Sequence, residues 1–193
     1  MNRSGAPVER RLFAGIALDE RARAACADVA RRLAATGFAA RYEDPAKFHL
    51  TIAFLGNVPA ARCDDVVAAV REAAAQQSSI VVSLDKLNAF PNERRPRVVY
   101  AGAREQGAAF RRLAAAVREA LGRRGFHFAG DAVAHVTLAR VKAARRSLPR
   151  LEVAPIRVGC DDLSLFESIF DKEKNTSRYE VFSRETLGRI SEA

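Results

Sequence analysis

Apolar and polar residues alternate with period two over residues 47–56, KFHLTIAFLG. Phe48, Leu50, Ile52 and Phe54 fall on one face, and His49, Thr51 and Ala53 fall on the other. That alternation is the mark of a strand with one face in a core. It sets His49 and Thr51 on a common face, roughly 7 Å apart at about 3.3 Å of rise per residue. The pattern returns at residues 134–140, AHVTLAR: Ala134, Val136 and Leu138 share one face, and His135, Thr137 and Ala139 the other.

The rest of the chain surrounds these two strands. Residues 10–18, 79–90, 98–103 and 178–187 read as strands, and 154–170 as one long strand interrupted near Gly159. A helix follows Asp19, a plausible N-cap, with Ala22, Cys26, Val29, Ala30 and Leu33 at helical spacing. A second helix is expected over 59–76, with Val66, Val67 and Val70 inward. A third is expected over 105–122, built on Phe110, Leu113, Ala114, Val117 and Leu121 and ended by Gly122 and Gly125. Asp44-Pro45 marks a turn before the first motif strand, and Gly56 is expected to close that strand. Residues 143–150 form a basic connection with room for a helical turn. No linker composition divides the chain. The expectation is an α+β fold of two lobes, each with a mainly antiparallel sheet and outer helices, with a cleft between the sheets. Residues 1–9 are expected to be a flexible leader and 10–190 a single bilobal domain.

Composition narrows the setting. With 193 residues, 49% hydrophobic and 28% charged, the chain describes a soluble globular protein. It has no long apolar run to span a membrane and no apolar stretch of secretory type near its start, so a cytoplasmic location is expected. Cys26, Cys63 and Cys160 are widely spaced and read as reduced, buried thiols rather than a disulfide frame or zinc site. The net charge of +9, carried mostly by arginine, favours a polyanionic partner, although arginine-rich usage alone proves nothing. Nothing points to an obligate oligomer, and a monomer is expected.

The two matched motifs carry the chemistry. Two imidazoles facing one cleft suit in-line displacement at phosphorus, where one takes a proton from water and the other gives one to the leaving oxygen. The hydroxyls of Thr51 and Thr137, helped by Arg140, can donate to non-bridging phosphate oxygens as charge builds there. A single H-x-T is weak evidence, because threonine is a good strand former; the near-symmetric pair is stronger. His127 lacks a threonine two residues on and reads as structural. No metal site is expected: neither motif histidine has a ligand-type neighbour at coordination spacing, although Asp131 precedes the second. Glycine-rich phosphate loops, nucleophile elbows and dinucleotide fingerprints are absent.

The order RLFAGIAL, HLTIAFLG, FPNERRPRVVYAG, HVTLAR, LSLFES and RYEVF over residues 10–187 resembles the 2H phosphoesterase superfamily. It resembles most the RNA 2′,3′-cyclic phosphodiesterases, also called 2′-5′ RNA ligases. The resemblance implies a bilobal fold with pseudo-two-fold symmetry and a metal-independent, cofactor-free reaction. It implies that RNA 2′,3′-cyclic phosphate ends are opened to 2′-phosphomonoesters, with reversible 2′-5′ joining. His49 is then the proton donor, His135 the proton acceptor, and Thr51, Thr137 and Arg140 the phosphate holders. Phe54, Tyr179 and Arg97 are further candidates for substrate contact. Ala134 stands where the family often has proline, Tyr100 where tryptophan is frequent, and KNTS replaces a glycine-bearing hairpin. Two alternatives stay open: the same chemistry on a small cyclic nucleotide or 2′-5′ oligonucleotide, and an RNA-binding module without turnover. In the second, Arg94, Arg95, Arg97, Arg145, Arg146 and Arg150 would meet phosphates.

Overall fold

A computed structural model describes residues 8–142, 146–173 and 175–188. Nine strands form one antiparallel sheet: β1 (Glu9–Ala17), β2 (Arg41–Tyr42), β3 (His49–Pro59), β4 (Ile80–Phe90), β5 (Val98–Gly102), β6 (His135–Arg140), β7 (Glu152–Cys160), β8 (Asp162–Asp171) and β9 (Thr176–Thr186). Their order is β7-β4-β5-β6-β3-β1-β8-β9, with β2 added beside β6. The two lobes are the four-strand halves of this order, and they join at the single pair Leu50↔Val136. Each half presents its H-x-T strand at the seam.

Among the described residues three α-helices cover the core: α1 (Glu20–Ala35), α2 (Cys63–Ala75) and α3 (Ala108–Gly122). Asp19 caps α1 by accepting from the Ala22 amide at 2.7 Å, satisfying one orphan donor of the first turn. The apolar stripes of α1 and α3 expected from their spacing are all buried. α1 leaves β1 and packs on β6 and β7 of the other half; α3 packs on β3, β4 and α2. The three cysteines are buried and unpaired. No helix among the described residues is long and apolar enough to cross a membrane.

Several boundaries differ from the sequence expectation. Residues 1–7 of the expected leader lie outside the described residues, but Glu9 already opens β1 and the Val8 carbonyl accepts from the Ala60 amide. Gly56 does not end β3. It takes a φ of +74°, open to glycine without strain, and the strand continues to Pro59. The long strand over 154–170 is two strands in opposite halves of the sheet, and the interruption expected near Gly159 falls at Asp161. A helical turn within 143–150 falls partly on residues 143–145, outside the described residues; 146–150 are not helical.

The largest correction lies inside β3. Phe54 was expected in the core with Leu50 and Ile52, yet it is 66% exposed, while Ala53, expected on the histidine face, is buried. The ladder explains this. Gly15 pairs with Thr51 and Ala14 with Ala53, so Ile52 is an extra residue. Such a bulge shifts the alternation by one: residues before it keep their faces, and residues after it exchange them. β6 does the same. Tyr100 pairs with Thr137 and Val99 with Ala139, leaving Leu138 as the extra residue. In both strands the bulge follows the motif threonine, and it turns Phe54 and Arg140 toward the face that carries the histidines.

Candidate active site

His49, Thr51, His135, Thr137 and Arg140 line one cleft of about 600 Å³ at the seam between the halves. The two motifs therefore face the same space. Phe54 and Tyr179 line it too. Arg97 does not; its guanidinium donates to the Lys142 carbonyl at 2.9 Å. His127 is exposed and away from the cleft. Of the arginines considered for RNA binding, Arg94, Arg95, Arg146 and Arg150 also stand outside it, and Arg145 lies outside the described residues.

Each imidazole is fixed by the carbonyl two residues before it. His49 Nδ1–H donates to the Lys47 carbonyl and His135 Nδ1–H to the Val133 carbonyl, both at 2.7 Å. A carbonyl only accepts, so Nδ1 carries hydrogen in each ring and Nε2 is left to react. Aromatic walls hold the rings in place. Phe13 lies 4.8 Å and Tyr179 5.2 Å from His49, with Phe166 behind. Phe90 and Tyr100 each lie 5.2 Å from His135 and stack on one another at 4.4 Å.

These walls also set the electrostatics. Burial pushes His49 down to about 4, helped by the neighbouring His135 and Arg140 and opposed by the Lys47 carbonyl and Glu43. Burial lowers His135 as well, with Arg140 adding to the effect and the Val133 carbonyl opposing it. Both imidazoles are thus neutral near pH 7. Burial raises the Tyr179 phenol, which keeps its hydrogen and can donate.

Much of the cleft wall comes from residues that carry no local signal in the sequence. Arg11, Arg41, Glu43 and Lys47 line it, together with Phe13, Phe90, Ser168, Thr176 and Ser177. Lys47 Nζ donates to Thr176 Oγ1 at 2.7 Å across the cleft edge. Glu43 accepts from Arg140 Nε at 2.7 Å, with Arg41 at 3.8 Å. The short strand β2 produces this cluster. It pairs Arg41 with Arg140, and the Glu43 amide donates to the Leu138 carbonyl at 2.9 Å. Two residues are too short a pattern to read as a strand.

The cleft can therefore bind an anion between two imidazoles and do acid–base chemistry on it. Comparison with known proteins agrees. The model of the family described as LigT like Phosphoesterase matches residues 16–100 and 102–174. The chain belongs to the LigT-like phosphoesterase family. The RNA 2′,3′-cyclic phosphodiesterase of Archaeoglobus fulgidus is 33% identical over 132 residues, covering 68% of this chain and 73% of that protein. The RNA 2′,3′-cyclic phosphodiesterase of Thermus thermophilus is 33% identical over 159 residues, 78% of this chain and 76% of its own length. Among solved structures, ligand-free E. coli LigT superposes with a TM-score of 0.78 at 23% identity, covering 95% of this chain and all of that one. Membership in this family makes the protein a phosphoesterase of the 2H type, with the fold expected for it.

Proposed function

We propose that this phosphoesterase opens 2′,3′-cyclic phosphates at RNA ends to 2′-phosphomonoesters, using His49 as acid and His135 as base. The observation that carries the reading is that both H-x-T motifs line one cleft with their Nδ1 hydrogens tied back, leaving each Nε2 to react. Water attacks phosphorus and its proton passes to His135 Nε2. The P–O3′ bond breaks and His49 Nε2–H protonates O3′. Thr51, Thr137 and Arg140 hold the non-bridging oxygens, whose charge grows in the transition state. The substrate's negative charge restores to the acid the proton that burial disfavours. Phe54, exposed and 5.7 Å from Phe13, offers a stacking surface for a terminal base. Replacing water by an RNA 5′-hydroxyl gives the 2′-5′ linkage by the same proton path, and its reverse. The names of the relatives support the RNA end as substrate, and E. coli LigT has been solved with 3′-AMP. The reading takes the protein as a cytoplasmic monomer that needs no metal.

The test is an RNA oligonucleotide ending in a 2′,3′-cyclic phosphate, incubated with EDTA and followed by mass and phosphorus NMR. A 2′-phosphomonoester is expected, with kcat reduced about 10²- to 10⁴-fold in His49→Ala and in His135→Ala. Loss of turnover on chelation, or near-normal rates in either variant, would refute it.

A further inference from the structure

The cleft contains a group that an anion site does not require. Four cationic side chains line it, Arg11, Arg41, Lys47 and Arg140, and among them stands the carboxylate of Glu43. The Glu43 side chain is only 13% exposed. It engages Arg140, the arginine nearest the second motif, through Nε. Among the described residues the terminal nitrogens of Arg140 have no other partner. The backbone leaves Glu43 little freedom, because its amide is bonded to the Leu138 carbonyl beside the β6 bulge. A phosphate held by Arg140 must therefore sit close to a fixed negative charge.

We infer that Glu43 is a specificity-determining residue: it tunes the cleft toward singly charged phosphodiesters and against doubly charged phosphomonoesters. The inference rests on the proposed reaction for its biological sense, since there the substrate is a diester with one negative charge and the product a monoester. The monoester's second ionisation lies near pH 6, so above neutrality it carries about two charges. The cations attract both species. Glu43 repels both, and repels the second charge of the product in addition. At roughly 6 Å and an effective dielectric near 20, one additional charge changes affinity by about tenfold or more once screening is allowed for. The carboxylate thus weakens product retention in a cleft whose four cations would otherwise favour the more highly charged ligand. A purely architectural role, fastening β2 to β6 through Arg140, makes a different forecast: loss of Glu43 would alter both affinities by the same factor.

The experiment uses binding rather than turnover, so that it stands whether or not the proposed reaction is correct. The probes are 2′-deoxyadenosine 3′-phosphate and its methyl ester, which differ by one methyl group and one charge. Neither has the 2′-hydroxyl needed to form or open a cyclic phosphate. Calorimetric titration at pH 8 gives the ratio of monoester to diester affinity for the wild type and for Glu43→Gln, Glu43→Ala and Glu43→Asp, each checked for cooperative unfolding. Glu43→Gln keeps an acceptor for Arg140 and removes the charge; the ratio should rise about tenfold. Glu43→Ala should raise it similarly, and Glu43→Asp, which keeps the charge, should leave it within about twofold of wild type. A ratio unchanged in the folded Gln and Ala variants, or raised equally by Asp, overturns the inference. If the ratio rises while no cyclic phosphate is opened by the wild type, the reaction fails and the role of Glu43 stands.

Discussion

Gly15 offers a sharp test of how the cleft is built. It lies in β1 between Thr51 of β3 and Ser164 of β8, so both flanks are occupied by sheet. A methyl group placed on its Cα would lie 2.4 Å from the Leu50 carbonyl oxygen, with the Leu50 carbon at 3.4 Å and Thr51 Cα at 3.5 Å. Contacts below 3.0 Å are essentially never seen, so β1 and β3 must part by about 0.6 Å (3.0 less 2.4) at the motif itself. The obstructing atom is backbone and cannot rotate away. Overpacking of this kind costs about 1–3 kcal/mol. For a chain of this size that lowers Tm by roughly 2–12 °C, at about 2–4 °C per kcal/mol. The displacement falls on Leu50 and Thr51, between the candidate acid and its hydroxyl. Since a misplacement near 1 Å can cost about 10² in rate, Gly15→Ala should lose about ten- to a hundredfold in kcat on a 2′,3′-cyclic nucleotide. Gly159→Ala in β7 is the control, because its new methyl would meet nothing closer than Asp161 Oδ2 at 3.6 Å. Thermal unfolding and steady-state rates on both variants suffice. A Gly15→Ala protein that melts with the wild type and keeps its kcat would show that the close β1–β3 approach does not set the motif geometry.

The histidines give a signed pH prediction. His49 titrates near 4 when folded and near 6.5 when unfolded, so its contribution is complete above pH 6.5 and is lost as pH falls toward 4. Urea unfolding from pH 7 to 4 should show about 3 kcal/mol more loss in wild type than in His49→Gln; parallel profiles would contradict the burial argument. Because both imidazoles are lowered, kcat/KM should be bell-shaped with its maximum on the acid side of pH 6.5, its two apparent values belonging to the coupled pair. A maximum above pH 7 would contradict it. Thr51→Val and Thr137→Val keep shape and remove a donor, so kcat should fall about 10²- to 10³-fold with KM nearly unchanged; a loss confined to KM would place the hydroxyls in ground-state binding only.

The core was largely legible because helical and strand periods were clean. The buried stripes of α1 and α3, the Asp19 cap and the pairing of histidine with threonine on one face all followed from spacing. The bulges were not legible. HLTIAF and HVTLAR look like plain alternating strands, and an extra residue in one strand shows only against its partner's register. That is why alternation alone places Phe54 in the core, and only the family resemblance points it to substrate. The same limit hid Glu43 and Arg41, which reach the site through a two-residue strand set by a distant partner. Arg11 and Lys47 carry no local signal either, since isolated cations in an arginine-rich chain are unremarkable until the fold gathers them.

The sheet order has a consequence for the chain as it emerges from synthesis. The half that holds His135 uses β4, β5, β6 and β7, which are contiguous in sequence between Ile80 and Cys160. Its ladder can close as soon as those residues are available. The half that holds His49 cannot. β1 and β3 are made first, but the far edge of β1 is filled by β8, itself paired with β9, and both arrive more than a hundred residues later. Until then β1 presents an open edge rich in apolar side chains, the kind of surface that invites pairing with another chain. The half that carries His49 is the older part of the polypeptide and the later part of the sheet. The interval between the two is the period when the nascent protein is most exposed to misassociation.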